Sequence, residues 1–502
     1  MGSNMESSTD DANKPAEAAA SADTAATAAP IADEASEQPA AAKSASRWRV
    51  LIPGVLSFLW PGLGQIFMGK RRAGIVFAVP AVLFLAMALL QVATNPVLFA
   101  VSLWDESYVE LVIVGLAVFG AWRVAAVLHA MFPAGFRRPW RRMEVAVAAA
   151  LIAAILVVHG GVAAGAWVWY ETSASIQSNN IFAVGSPTPG DPTPTDLQTP
   201  TPSPESSGAV YTAIPQPTPS PTRAPDPNRI TFLVVGLDFT SGRDHSLTDT
   251  LMIVSLDTVT HEASLISVPR DTTSFPLYWG GSVANTFKLN TFLNTVSQGK
   301  LKAPDDPIVA LEKEIGFLVG IPVNYYAAVD MDGFAKVIDA LGGVDIYNPH
   351  AINDPSTGII LAAGPAHLNG IQAVLYARSR ENGGSDYIRA NRQQGMLVSL
   401  KSKLLSASVL PKFNSILSIA SRSVGTDFPL KTAKNYVKAV QGVKKINMCV
   451  LGPPYSVHPP TTQTGGKWTS YLDMNLVAGV SVTFFGEDSL YYGQPGVTPR
   501  SC

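Results

Sequence analysis

Cysteine and charge are both scarce in this chain. Its 502 residues include two cysteines, Cys449 and Cys502. That excludes a disulfide-built scaffold and a cysteine-rich zinc site. Whether the two form one bridge stays open, because only geometry decides it. Charged residues make up 15% of the chain and hydrophobic ones 47%. Soluble domains carry about 25% charged residues, so part of this chain must avoid water. There is no excess of either sign, with 36 basic and 38 acidic side chains and a net charge of −2. Such a balance gives no field for a polyanion, and no nucleic-acid partner is expected. Also absent are GxxxxGK[ST], HExxH and GxSxG. A P-loop, a zinc protease helix and a hydrolase elbow are therefore not expected.

What is present divides into four regions. Residues 1–46 are mostly Ala, Ser, Thr, Asp and Glu, a composition expected to form a disordered tail. The basic start and apolar run of a secretory signal are missing there. Residues 47–170 read as a membrane anchor. Apolar stretches at about 73–93, 109–132 and 143–170 are long enough to cross about 30 Å of hydrocarbon as helices. Residues 51–68 are apolar too, but Pro53-Gly54 and Pro61-Gly62 interrupt them. They read as a re-entrant or interfacial hairpin, with a complete fourth span as the alternative. Lys70, Arg71 and Arg72 precede the second stretch, and Arg137, Arg138, Arg141 and Arg142 precede the last. Basic loops stay in the cytoplasm. The tail is thus expected inside and everything after Tyr170 outside, in a multi-pass arrangement across a cytoplasmic membrane. Residues 171–228 hold a Pro/Thr-rich tether, with 13 prolines in 185–229. Such a segment is semi-extended and lets the following domain range over the membrane surface.

From residue 229 the composition is that of a globular domain. Strand-length apolar runs occur at Ile230–Gly236, Thr250–Leu256 and Ala263–Val268, with further strands expected at 324–329 and 344–347. Helical patterns fall at 306–319, 331–341, 369–377 and 386–406, and Gly342-Gly343 marks the end of the second. Strands interleaved with helices predict an α/β layered sandwich, a central mixed β-sheet flanked by helices.

Polar residues concentrate at three places. Asp238 follows the first strand and Asp249 precedes the second. Carboxylates converging from neighbouring strands suit Mg²⁺ or Mn²⁺ beside a phosphate, although Asp at strand ends also caps turns. Arg270, behind Pro269, closes the third strand, and an Arg there can aim its planar fork at phosphate or pair with Asp271. The run Tyr376–Arg380 followed by Asp386–Gln394 carries Arg378, Arg380, Arg389 and Arg392. Asp386, Arg389 and Gln393 recur at helical spacing, beside the stripe Leu397, Leu400 and Leu404. An arginine-rich face next to an apolar stripe suits a multiply charged phosphate. The plain alternative is a solvated helix face.

The ordered set of these motifs resembles the LytR-CpsA-Psr family of envelope proteins. It comprises Gly-Leu-Asp238, Thr248-Asp249-Thr250, Val-Pro-Arg270-Asp271, Lys288-Leu-Asn290, Asp330-Met-Asp-Gly-Phe334, Leu341-Gly-Gly-Val344, Tyr376-Ala-Arg378-Ser-Arg380 and Asp386-Tyr-Ile-Arg389-Ala-Asn-Arg392-Gln-Gln394. The resemblance covers about residues 229–407. It implies a phosphotransferase that moves a glycopolymer from a polyprenyl-pyrophosphate carrier onto peptidoglycan. It further implies that Asp238 and Asp249 hold Mg²⁺, and that Arg270, Arg378, Arg380, Arg389, Arg392 and Gln394 grip the pyrophosphate with Lys288 nearby. Asp386 would serve as a base or position an arginine. Leu247 stands where the family often has Arg, with Arg243 nearby as its substitute, and the family's usual anchor is a single span. An apolar slot is expected for the lipid, with Phe287, Leu289, Phe292, Phe317 and Leu318 as material for it. A lipid-pyrophosphate pyrophosphatase and a non-catalytic regulatory or glycan-binding protein are the competing readings.

Overall fold

The computed structural model describes residues 51–132, 141–178, 225–238, 247–283, 287–380, 386–458 and 470–502. The tail 1–46, most of the tether, the basic residues at 133–140 and Arg243 lie outside them.

The anchor begins with a short helix over residues 51–59 (α1) that turns at Gly62, where φ is +99°, into α2 (Leu63–Phe67). A side chain on Gly62 would also strike the Gly74 carbonyl, so glycine is required there. The buried polar side chains of this hairpin, Ser57 and Gln65, are paired. Buried Gln65 accepts from Ser57 and donates to the Ala126 carbonyl. Three helices follow that are long and apolar enough to cross a membrane: α3 (Arg71–Thr94), α5 (Glu106–Met131) and α6 (Arg142–Ser178). A short helix, α4 (Pro96–Ser102), lies between α3 and α5, capped by Asn95 and started by Pro96.

The following domain is built on a six-stranded mixed sheet in the order β10-β3-β2-β1-β4-β9. Its strands are β1 (Arg229–Asp238), β2 (Leu247–Asp257), β3 (Glu262–Ser267), β4 (Tyr325–Asp330), β9 (Val424–Thr426) and β10 (Lys445–Val450). β1 runs parallel to β4, and β3 to β10; the remaining pairs are antiparallel. Alternation along the strands splits their side chains between two faces. Leu233, Val235, Leu237, Leu251 and Ile253 face the main core, packed under α7 (Phe292–Ser297), α8 (Pro307–Val319) and α14 (Met474–Phe485). Over the other face lie α9 (Met331–Leu341), α10 (Gly370–Arg378), α11 (Asp386–Leu404), α12 (Phe413–Ser423) and α13 (Lys434–Gln441).

α9 stops where Gly342 and Gly343 take φ of +81° and +89°, as that pair predicts. The strand expected at 344–347 forms as β5 (Val344–Asn348), but outside the main sheet, paired with β8 (Gly364–Leu368). Two further small ribbons join β6 (Ile352–Asp354) to β7 (Ile359–Leu361), and β11 (Ser456–Val457) to β12 (Tyr471–Leu472). Cys449 on β10 is bridged to Cys502, which settles the pairing left open above.

The domain is seated on the anchor. Phe413 stacks on Trp169 of α6 with 4.6 Å between ring centres and lies 5.9 Å from Trp104. Lys434 pairs with Asp105, and Asn95 donates to Gln441 at 2.9 Å.

Candidate functional site

β2 begins earlier than its apolar run suggests, so Asp249 lies within the strand. In the β1/β2 ladder Gly236 pairs with Thr250 and Leu237 with Thr248, so Asp249 is the extra residue of a β-bulge. A bulge re-aims a side chain that regular pairing would send elsewhere. Here it lets Asp249 and Thr250 line the same cavity. Asp238 is likewise inside its strand, as the last residue of β1, opposite Leu247.

Asp249 is the first member of a charged cluster. Arg270 donates to Asp249, and its Nε lies 3.4 Å from Asp386 and 3.9 Å from Asp271. Lys288 reaches Asp271 at 2.8 Å, and Arg380 reaches Asp386 at 2.8 Å. Arg389 is one turn along α11 from Asp386, 3.7 Å away, and donates to the Asp249 carbonyl at 3.3 Å. Chain segments separated by more than a hundred residues thus bring four cations and three carboxylates together. Burial works against charge on Arg270, but Asp249, Asp386 and Asp271 outweigh it and raise its pKa. Burial likewise works to raise Asp271, yet its hydrogen bonds to Asp386 and Lys288, with the charges of Lys288 and Arg270, hold it below the usual carboxylate range.

Arg389 is the exception. It is 6% exposed, and burial, with Arg270 adding repulsion, pulls it down to about 10. It stays protonated at neutral pH, but its Nε has no hydrogen-bond partner among the described residues. A buried cationic donor left unsatisfied is costly, and an anion would satisfy it.

The cluster closes one end of an apolar cavity of about 130 Å³ between the sheet and α9–α11. Its walls are Val234 and Gly236 of β1, Met252 of β2, Val329 of β4, Phe334 of α9, and Met396 and Leu397 of α11, with Asp249, Arg378 and Arg389 at the polar end. A dry site of roughly 150 Å³ accepts a ring-sized apolar group. Gly236 is required in this wall, because a Cβ there would stand 2.8 Å from the Thr250 hydroxyl. None of the five apolar residues expected to supply this slot lines it. Leu289, Phe292 and Leu318 are fully buried in the core on the opposite sheet face, with Phe287 and Phe317 packed against it.

The remaining expected residues are placed differently. Arg378 ends α10 and lines the slot. The next two residues leave the helix, and the Arg380 amide donates to Asp354 at 2.9 Å, which turns its guanidinium toward Asp386. Arg392 donates to the Ser379 carbonyl at 2.7 Å and lies over the Tyr376 ring, so it braces the α10–α11 turn. Gln394 is 1% exposed and donates to Ser267 at 2.9 Å and to the Cys449 carbonyl at 2.7 Å, so it straps α11 to the sheet. Sequence reasoning missed the slot walls and the role of Asp354. The alternation of Val234 and Gly236 against Leu233, Val235 and Leu237 was the readable signal for the former.

Among the described residues no group of three or more His, Cys, Asp or Glu forms a ready metal cage. Mg²⁺ does not need one, since it binds through one or two carboxylates plus substrate phosphates and water. The carboxylates gathered here fit that donor chemistry.

Residues 205–469 match the model of the LytR_cpsA_psr family, slightly over half the chain. The chain belongs to the LytR-CpsA-Psr family. Family likeness thus extends past α11 to residue 469. Over 224 residues the chain is 28% identical to the polyisoprenyl-teichoic acid–peptidoglycan teichoic acid transferase TagU of Bacillus mycoides, covering 44% of this chain and 68% of that protein. It is 30% identical over 275 residues to the transferase of the same description, TagV, of Bacillus subtilis, covering 53% of this chain and 61% of that one. The match thus spans about three fifths of the latter's length. A crystal structure of B. subtilis TagV aligns with 25% identity and a TM-score of 0.41, over 53% of this chain and 98% of that one.

Proposed function

We propose that this protein is a cell-wall phosphotransferase that moves a glycopolymer from a polyprenyl-pyrophosphate carrier onto peptidoglycan. One observation carries the reading: the buried Nε of Arg389, without a partner among the described residues, stands where an apolar slot meets a cluster of cations. A lipid diphosphate has this same two-part character, a hydrocarbon tail and a compact polyanion. The tail enters the slot between the sheet and α9–α11. Arg270, Arg378, Arg380 and Arg389, with Lys288, neutralise the diphosphate. The names of the curated relatives support the substrate class.

Phosphoryl transfer is mainly positioning and neutralisation of spread charge. A hydroxyl of the peptidoglycan acceptor attacks the phosphorus that carries the glycopolymer. The bond from that phosphorus to the bridging oxygen breaks, and polyprenyl phosphate leaves. The hydroxyl proton passes to a carboxylate, for which Asp386 is placed between Arg270 and Arg380. Asp249 and Asp238 would hold Mg²⁺ or Mn²⁺, which would supply further neutralisation of the diphosphate. Basic residues ahead of α3 and α6 support a domain on the outer side of the membrane, and the disulfide suits an oxidising compartment.

The test uses purified full-length protein, a long-chain lipid-linked glycan and peptidoglycan fragments, with and without Mg²⁺. We expect a phosphodiester-linked product, and a loss of at least about 100-fold in kcat/KM for Arg389→Ala, the scale for removing a charge-stabilising donor. Hydrolysis that ignores peptidoglycan would establish a pyrophosphatase instead. Unchanged turnover in Arg389→Ala would remove the basis of the reading.

A further inference from the structure

We infer that the additional membrane helices form a platform that holds the catalytic domain in one orientation, with the apolar end of its slot toward the bilayer and the charged cluster away from it. The seating stands on contacts alone; its consequence for substrate loading rests on the function proposed above.

The orientation is read along β1. At its far end Asp238 closes the strand on the side of the bulged Asp249. Gly236 and Val234 then line the slot. Two residues further back, Phe232 packs with Tyr325, Phe428, Tyr436 and Ala439, the last two on α13. α13 is the helix that reaches the anchor, through Lys434 to Asp105 and Gln441 to Asn95. A path down β1 thus runs from charge, through hydrocarbon-lined space, to the helix resting on the α3–α5 connection. From Phe232 to Asp238 is six residues, or about 20 Å at strand rise. That is the distance along the strand between its charged end and the residues packed on the seating helix.

The second contact is aromatic and lies on a different helix pair. α6 has 37 residues, about 55 Å of helix. A hydrocarbon core of about 30 Å leaves its last turns clear of the membrane. Trp169 and Trp104 flank Phe413 in this zone, where indole rings are favoured. Both indole N–H groups are buried without a protein acceptor among the described residues. The β9 edge also packs against α6, and β9 neighbours β4, which lines the slot. Platform and slot therefore share a wall.

The experiment uses the full chain in phosphatidylethanolamine–phosphatidylglycerol vesicles. Both native cysteines are bridged, so an Asn95→Cys/Gln441→Cys pair gives a clean thiol readout with a short bifunctional maleimide. We expect efficient intramolecular crosslinking, a several-fold lower yield when Lys434→Asp is added, and recovery when Asp105→Lys accompanies it. Without the cysteine pair, Lys434→Asp should raise KM several-fold for a long-chain lipid-linked substrate embedded in the vesicles. It should leave kcat, and the KM for a water-soluble short-prenyl analogue, unchanged. Absence of the crosslink in protein whose native disulfide is intact would overturn the platform. Equal KM effects on both substrates would overturn its role in loading. Crosslinking in a protein that transfers nothing would leave the platform standing and sink the transferase reading instead.

Discussion

Arg270 touches three carboxylates, whereas Arg389 holds one at longer range and has a nitrogen without a partner among the described residues. The two should respond differently to substitution. Removing Arg270 leaves half-buried carboxylates facing each other, and breaking even a fully buried pair costs no more than about 3–5 kcal/mol. Arg270→Ala should therefore lower both stability and activity, as melting curves and turnover would show together. Lys288 is more exposed, and Lys288→Ala should cost only several-fold in kcat/KM with little change in melting temperature. A second residue-scale prediction concerns Glu314, fully buried in α8, where burial raises its pKa from 4.5 to about 8. The unfolded chain releases this proton as pH passes 4.5, while the folded chain keeps it until about 8. Stability must then fall as pH rises through that window, by at most about 1.4 kcal/mol per pH unit. Glu314→Gln should gain in melting temperature relative to the parent as pH goes from 5 to 8. A difference that does not vary with pH would contradict this.

The slot depends on how elements alternate, and it tests differently. Val234, Gly236 and Met252 form one wall, and the helices α9–α11 the other. Ala377→Phe should fill the space beside Arg378 and raise KM several-fold for long and short prenyl chains alike, as steady-state kinetics on both would show. At this scale much was legible in the sequence. The Val- and Ile-rich runs became β1–β4 within a few residues, and the helices at 307–319, 331–341, 370–378 and 386–404 formed where periodicity and glycine placed them. The charged residues were also legible as candidates, because arginine and aspartate at strand and helix ends stand out against an apolar background. What was not legible depends on pairing. The bulge at Asp249 exists only relative to β1, since it is a mismatch between two strands. Gln394 looks like a phosphate donor in a polar run, until the fold brings Ser267 and Cys449 beneath it. β9 is three residues long and β10 joins the sheet edge from far along the chain, so no local pattern announced either.

For the whole molecule, the Cys449–Cys502 bridge ties the carboxyl end to the edge strand β10. It closes a loop with a separation of 53 residues, for which chain entropy gives about 4 kcal/mol. Cys502→Ser should lower stability on that order, measured by denaturant unfolding under oxidising conditions, and the loss should vanish when both proteins are compared reduced. The anchor matters at the same scale. Its three long helices expose apolar side chains over most of their surface, an area that water covers poorly.

Because α6 is a continuous rod from Arg142 to Ser178, rotation and elevation are locked together in it. One residue inserted below Trp169 turns everything above by about 100° and swings the indole away from Phe413. Seven inserted residues restore the azimuth to within about 20° while lifting the top by about 10 Å. The aromatic stack could then re-form only if Asp105 and Asn95 let go of α13. The rod thus acts as a screw thread with a single working setting, and the domain's angular register is written in the residue count of one helix.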